Sequence, residues 1–235
     1  MTKEEQIDEL LHDYPFLKCN IVYERDINYI KDVLELPYWS TPKYKKLLTT
    51  NIWYSSYLNI IRILELPYWT DPKFEKILTS NVWRRNYKEV ENVLKMPEWN
   101  YSHYRGLLTS NIWKSSYEDI TAILDMNILK DSRYEHLLVP SIFNVPLDNI
   151  VPTIELLEQY GISEYVTNRC LRRNVNLTKS LIEYMLNSGI PLLVTTENGK
   201  TKLNRMLSDS NSYLMEEHDI NIWNIDNSLK LIRTK

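Results

Sequence analysis

A chain of 235 residues with 28 Lys and Arg against 31 Asp and Glu has a formal net charge of -3, which gives no global pull towards nucleic acid or an anionic membrane. Its 43% hydrophobic and 25% charged residues, with only four Gly, exclude a disordered chain and fit a folded, largely helical protein. The two cysteines, Cys19 and Cys170, lie far apart outside any CxxC spacing, which argues against a disulfide framework or a zinc site and for a reducing setting.

Residues 3–13 place Ile7, Leu10 and Leu11 on one face among acids, so an N-terminal capping helix with a polar outer side is expected within 1–20. The opening MTKEEQIDELLHDY lacks the apolar core of a signal peptide, and no run approaches the roughly 18 apolar residues of a membrane span. A cytoplasmic protein with no membrane partner is the expectation.

From residue 21 the chain repeats itself. NIWYSSYLNIIRILELPYWTDPKFEKILTS, 51–80, is followed by NVWRRNYKEVENVLKMPEWNYSHYRGLLTS and NIWKSSYEDITAILDMNILKDSRYEHLLVP, and LELPYW at 64–69 has an earlier copy at 34–39. Self-similarity at about 30 residues marks a repeat array, here four copies over 21–140. Each copy predicts two short helices. The first opens at Ser40-Thr41-Pro42 or Thr70-Asp71-Pro72, an N-cap candidate with Pro at the first helical position. Its stripe of Phe74, Ile77, Leu78 and Val82 recurs as Tyr44, Leu47, Leu48 and Ile52, as Tyr104, Leu107, Leu108 and Ile112, and as Tyr134, Leu137, Leu138 and Ile142. The second, N-capped by Ser56, Asn86 or Ser116, carries Tyr57, Ile60, Ile61 and Leu64 and ends at Pro67 or Pro97.

Neither helix is long enough to be stable alone, so the predicted fold is all-α, an α-solenoid of about 30-residue helix-turn-helix repeats whose stacking supplies the stability. Six of the seven Trp fall in two columns: Trp53, Trp83 and Trp113, continued by Phe143, and Trp39, Trp69 and Trp99, continued by Leu129. The first column reads as buried aromatic core. The second reads as core as well, and because it follows a Pro-terminated helix it is also a candidate for partial exposure at an edge of the array.

After Pro140 the pattern drifts through 141–235, expected to be degenerate repeats and a C-terminal cap of one continuous solenoid. Pro152 is expected to interrupt a helix that Gly161 closes, LTKSLIEYMLNSGI at 177–190 reads as a helix with a Gly stop, and Asn198-Gly199 as a turn. One or two helices are expected over 201–217, and the tail from Asn221, with Trp223, as a cover.

Catalytic chemistry is not visible. His12, His103, His136 and His218 stand in no HExxH spacing, and Gly199-Lys200-Thr201 lacks the earlier Gly of a phosphate loop, Val194 holding that place. Glu216-Glu217-His218-Asp219 reads as a solvated charge run. A non-enzymatic protein with no cofactor and no metal is expected.

Charge patterning is more informative. Lys43, Lys73, His103 and Arg133 occupy one repeat position, and Lys46, Lys76, Gly106 and His136 another three residues on, so stacked copies would line them into a ridge. Arg84, Arg85 and Lys114 extend it. Against this, 21–140 holds 16 basic and 15 acidic residues. Val139–Ile162, VPSIFNVPLDNIVPTIELLEQYGI, resembles the repeats of mitochondrial transcription termination factors, which implies a superhelical array binding nucleic acid. Tyr87-Lys88-Glu89-Val90 and LIEYMLNSGIP at 181–191 resemble an ankyrin second helix with its Gly stop, which implies protein binding. The expected function is a scaffold-like interaction module binding a protein or peptide partner along one face, with nucleic acid as the alternative partner. The candidate contact residues are Trp39, Trp69, Trp99 and the basic set Lys43, Lys46, Lys73, Lys76, Arg84, Arg85, His103, Lys114 and Arg133.

Overall fold

A computed structural model describes residues 1–208, mostly helical with one small β-hairpin. The chain divides into two compact units, Met1–Ile120 and Thr121–Lys235.

The first unit opens with α1 (Lys3–Leu10), started by a capping box in which Thr2 accepts from the Glu5 N–H and Glu5 accepts from the Thr2 N–H. Ile7 and Leu11 form its buried side. A short helix, α2 (Asn20–Glu24), leads to α3 (Ile27–Leu34), and from there one order of elements recurs at 30-residue intervals. In the first copy α3 is followed by a 3-10 turn at Pro37–Ser40, the single turn α4 (Pro42–Lys45) and a 3-10 turn at Thr50–Tyr54. α5 (Tyr57–Leu64) and α6 (Tyr87–Lys95) begin the next two copies, the latter including α7 (Ser102–Arg105), and α8 (Tyr117–Asp125) begins the fourth, in which the division of the chain falls. α3 packs on α5 and α5 on α6.

The expected first helix of each copy is broken. Between Pro72–Phe74 and Ser80–Arg84 the chain is extended at Thr79 (φ -131, ψ 163), and Thr49 and Thr109 are extended in the same way. A β-branched Thr followed by Ser or Thr and then Asn favours local side-chain bonds over a continuing helix, as where Thr109 Oγ1 accepts from the Asn111 N–H. The apolar stripe is nevertheless buried: Leu47, Phe74, Ile77, Leu78, Val82, Leu107 and Ile112 lie inside. In the second helix the inward residues are Ile60, Ile63 and Leu64, with Ile61 half-buried, so the core spacing is three then four residues. Ser56, Asn86 and Ser116 cap as expected, accepting from the N–H of Asn59, Glu89 and Asp119.

Both Trp columns are core, each with a repeated bond. Trp39, Trp69 and Trp99 are 8%, 3% and 0% exposed, which corrects the expectation of an exposed edge. The Pro at the helix end turns the chain back, and each indole Nε1 donates to the carbonyl six residues earlier, Val33, Ile63 and Val93, all at 2.6 Å. Each of these last-turn carbonyls has no partner inside the helix and accepts the indole beside the N–H three residues on, that of Leu36, Leu66 or Met96. Trp53, Trp83 and Trp113 donate across copies to the carbonyls of Leu17, Leu47 and Ile77, at 2.9, 2.7 and 2.6 Å.

In the second unit the last regular copy continues through 3-10 turns at Asn127–Lys130, Glu135–Leu137 and Pro140–Asn144 into α9 (Leu147–Gln159). Pro152 does not end α9 as expected, because the helix buries Ile150, Thr153, Ile154, Leu156 and Leu157 on both sides of it. Gly161 closes it at φ 67, with Gly161 N–H to Glu158 O and Ile162 N–H to Leu157 O. α10 (Asn168–Leu171) and α11 (Val175–Asn187) pack on α9, and Gly189 ends α11 with the same pair of bonds. Residues Leu193–Thr195 (β1) and Thr201–Leu203 (β2) pair antiparallel around the Asn198-Gly199 turn, and α12 (Arg205–Ser208) follows. A strand therefore stands where a helix was expected from 201, since the turn at Gly199 sends the chain back along β1. The remainder of the 201–217 expectation, the Glu216–Asp219 run and the cover at Trp223 lie outside the described residues.

Candidate functional site

Of the basic residues singled out by the repeat, Lys43, Lys73, Arg85 and Arg133 are engaged by other groups of the chain. Lys43 is half-buried and its Nζ donates to the Trp69 carbonyl of the next copy. Lys73 sits 3.3 Å from Asp71 and over the Phe74 ring at 4.9 Å. Arg85 donates to the Trp113 carbonyl at 3.1 Å and lies 3.4 Å from Glu89. Arg133 is bound to Asp131 at 2.8 Å and to Glu158 at 3.3 Å. Its side-chain bonds hold the Asp131 carboxyl below its ordinary range. Lys46, Lys76, Arg84, His103 and Lys114 are exposed, and the His103 ring lies 3.8 Å from that of Tyr104.

Several of these cations thus link one copy to the next. Arg25 plays the same part as Arg85, donating to the Trp53 carbonyl. Where Ser55 replaces Arg, Asn59 makes the link, donating to the Arg85 carbonyl at 3.0 Å and accepting from the Tyr87 N–H at 2.6 Å. Its counterpart Tyr29 donates to the Ser55 carbonyl at 2.7 Å, and burial pushes that phenol up to about 12.

A surface suited to a partner lies at the start of the first unit. A cleft of about 510 Å³ opens between the YPF stretch that precedes the first copy and the LPYWS turn of that copy. Tyr14, Phe16, Leu36 and the edge of Trp39 make its apolar wall, and Asp13 and Lys45 are its two charges. Phe16 is 59% exposed, its ring edge-on to Tyr14 at 6.2 Å. Pro15 starts a three-residue 3-10 turn that buries Leu17 and leaves Phe16 outside. The Ser40 hydroxyl in the cleft donates to Pro37 O at 2.7 Å, so its proton is already committed. What the arrangement can do is seat an apolar side chain flanked by one charge of each sign.

Trp39 is therefore the only one of the twelve sequence candidates in this cleft, and only by its edge. Phe16 and Tyr14 were missed because they precede the four copies, although Tyr14 stands 30 residues before Tyr44 and Phe16 30 residues before Lys46. The available signal was Phe16 at the register place that later copies give to Lys46, Lys76, Gly106 and His136, all exposed. Among the described residues no group of three or more His, Cys, Asp and Glu could hold a metal ion, and no helix is long and apolar enough to cross a membrane. Comparison with models of protein families, with curated proteins and with solved structures finds no match to this chain.

Proposed function

We propose that the chain is an α-solenoid acting as a non-enzymatic interaction module, and that it holds a peptide segment of a protein partner in the cleft beside Trp39. The observation that carries this reading is Phe16, a large apolar side chain more than half exposed at the mouth of an apolar cleft. Large exposed apolar surface on a folded protein marks a contact site, and a cleft of this size buries a side chain or two of a ligand. The repeated Trp bonds favour the same reading, because they give the cleft a rigid wall and lower the ordering cost of binding. Nucleic acid is less well supported. A phosphate-tracking ridge needs an aligned row of free cations, whereas Lys43, Lys73 and Arg133 are each engaged by a carbonyl or carboxylate of the chain itself, which leaves it Lys46, Lys76, Arg84 and Lys114.

Peptides selected from a random library on the full chain test this reading. A selected peptide should bind wild type about tenfold more tightly than the Phe16→Ala variant, the cost of losing one apolar anchor. Since Phe16 is exposed, the variant should unfold at the wild-type urea midpoint. Selected peptides that bind both proteins equally would overturn the reading.

A further inference from the structure

A second cleft, wholly within Thr121–Lys235, differs in its chemistry. It encloses about 420 Å³, and three stretches distant in sequence meet around it: the 3-10 turns at 135–144, the run from Tyr165 to Arg169, and strand β2. It carries three basic side chains, His136, Arg169 and Lys202, all exposed, and none of the described residues that line it is a carboxylate. Arg169 and Lys202 form no salt bridge among the described residues, unlike the cations of the first unit that the repeat uses as links.

The wall is held in place. Asn168, 6% exposed, donates through Nδ2 to Leu137 O at 2.9 Å and to Ser141 Oγ at 3.0 Å. Ser141 accepts there, so its own proton remains available to a ligand. Thr167 likewise accepts from the Cys170 N–H at 3.3 Å. The His136 Nε2 is engaged with Val166 O at 2.8 Å, which fixes the ring. Glu164 beside Tyr165 pushes that phenol up, first by its charge and also through a side-chain hydrogen bond, so the Tyr165 proton is committed to Glu164 and is not counted among the donors. One part of the lining is apolar and open: Val139 is 43% exposed.

We propose that this cleft binds a phosphotyrosine side chain presented by a protein partner. Two permanent cations, an imidazole and hydroxyl donors match a group that carries about -1.5 to -2 charge and three acceptor oxygens at neutral pH. The exposed Val139 asks for an apolar stem between that group and its main chain. A phosphotyrosine ring supplies one, whereas phosphoserine has a single methylene and a Glu carboxylate has half the charge. The exposed cations suit a group delivered from outside on a chain. That a protein delivers it rests on the interaction-module reading, and the anion chemistry of the cleft does not.

The test is calorimetric titration of the full chain with the probe acetyl-Ala-Ala-phosphotyrosine-Ala-Ala-amide, beside its Tyr, phosphoserine and Glu counterparts and AMP. The phosphotyrosine peptide should bind at least about tenfold more tightly than every other probe, and Arg169→Ala and Lys202→Ala should each weaken it by about tenfold, the scale of one charge-assisted hydrogen bond. Tyr54→Ala, exposed and lining neither cleft, should leave this titration unchanged. Equal binding of the Tyr peptide, equal or tighter binding of AMP, or indifference to the Arg169 and Lys202 variants would each overturn the proposal. Failure here with Phe16-dependent peptide binding intact would leave the interaction module standing, and the converse result would remove that module alone.

Discussion

The Trp83 indole shows at one residue how the copies are joined: its ring is 2% exposed and its Nε1 reaches the Leu47 carbonyl at 2.7 Å. Trp83→Phe should cost about 1–3 kcal/mol because a buried carbonyl loses its donor, and Trp83→Ala about 3–5 kcal/mol because a cavity is added. Urea denaturation of both variants checks the order. Tyr29→Phe should be milder, about 1 kcal/mol, since the Ser55 carbonyl is only part-buried. Acid sensitivity also belongs to single residues. Asp8 is lowered chiefly by its Lys18 bond, Asp71 by the Lys73 N–H, Glu91 by Lys95 and Asp131 by the Arg133 side chain. A depressed folded-state carboxyl contributes stability above its unfolded pKa that is lost as pH falls through the folded one. Melting temperature should therefore drop from about pH 4 downwards, and Asp131→Asn should shallow that drop.

At the scale of elements, α6 carries a capping box in which Asn86 and Glu89 bond reciprocally, so Asn86→Ala should cost about 1 kcal/mol of unfolding free energy. Gly161→Ala meets no neighbouring atom but must hold φ 67, which should cost about 1–2 kcal/mol from backbone strain alone. Helix ends were legible in the sequence because they are written in local chemistry: Ser56, Asn86, Pro67, Gly161 and Gly189 all stand where expected. The break at Thr79 was not, because the stripe from Phe74 to Val82 keeps helical spacing although the chain between is extended. Burial survived that error, since the same side chains point inward by either route. Trp39, Trp69 and Trp99 were legible only as core or edge, for a related reason. Their position after Pro suggested an edge, and only the fold shows the indole N–H turning back to close the helix.

For the whole molecule, a repeat pattern exposes what the copies share and hides what lies outside them. The shared cations Lys43 and Arg85 proved to be links between copies, while each cleft sets beside repeat residues a side chain the copies do not share, Phe16 in one unit, where later copies have Lys46 and Lys76, and Arg169 and Lys202 in the other. A nucleic-acid-binding array would instead show binding at low salt that falls steeply as salt rises. The most direct measurement is hydrogen–deuterium exchange across the full chain with and without a library-selected peptide. Slowed exchange confined to residues 13–17 and 34–48 is the predicted result. Protection that avoids both stretches, or that runs instead through the segments bearing Lys46, Lys76 and Lys114, would contradict the account.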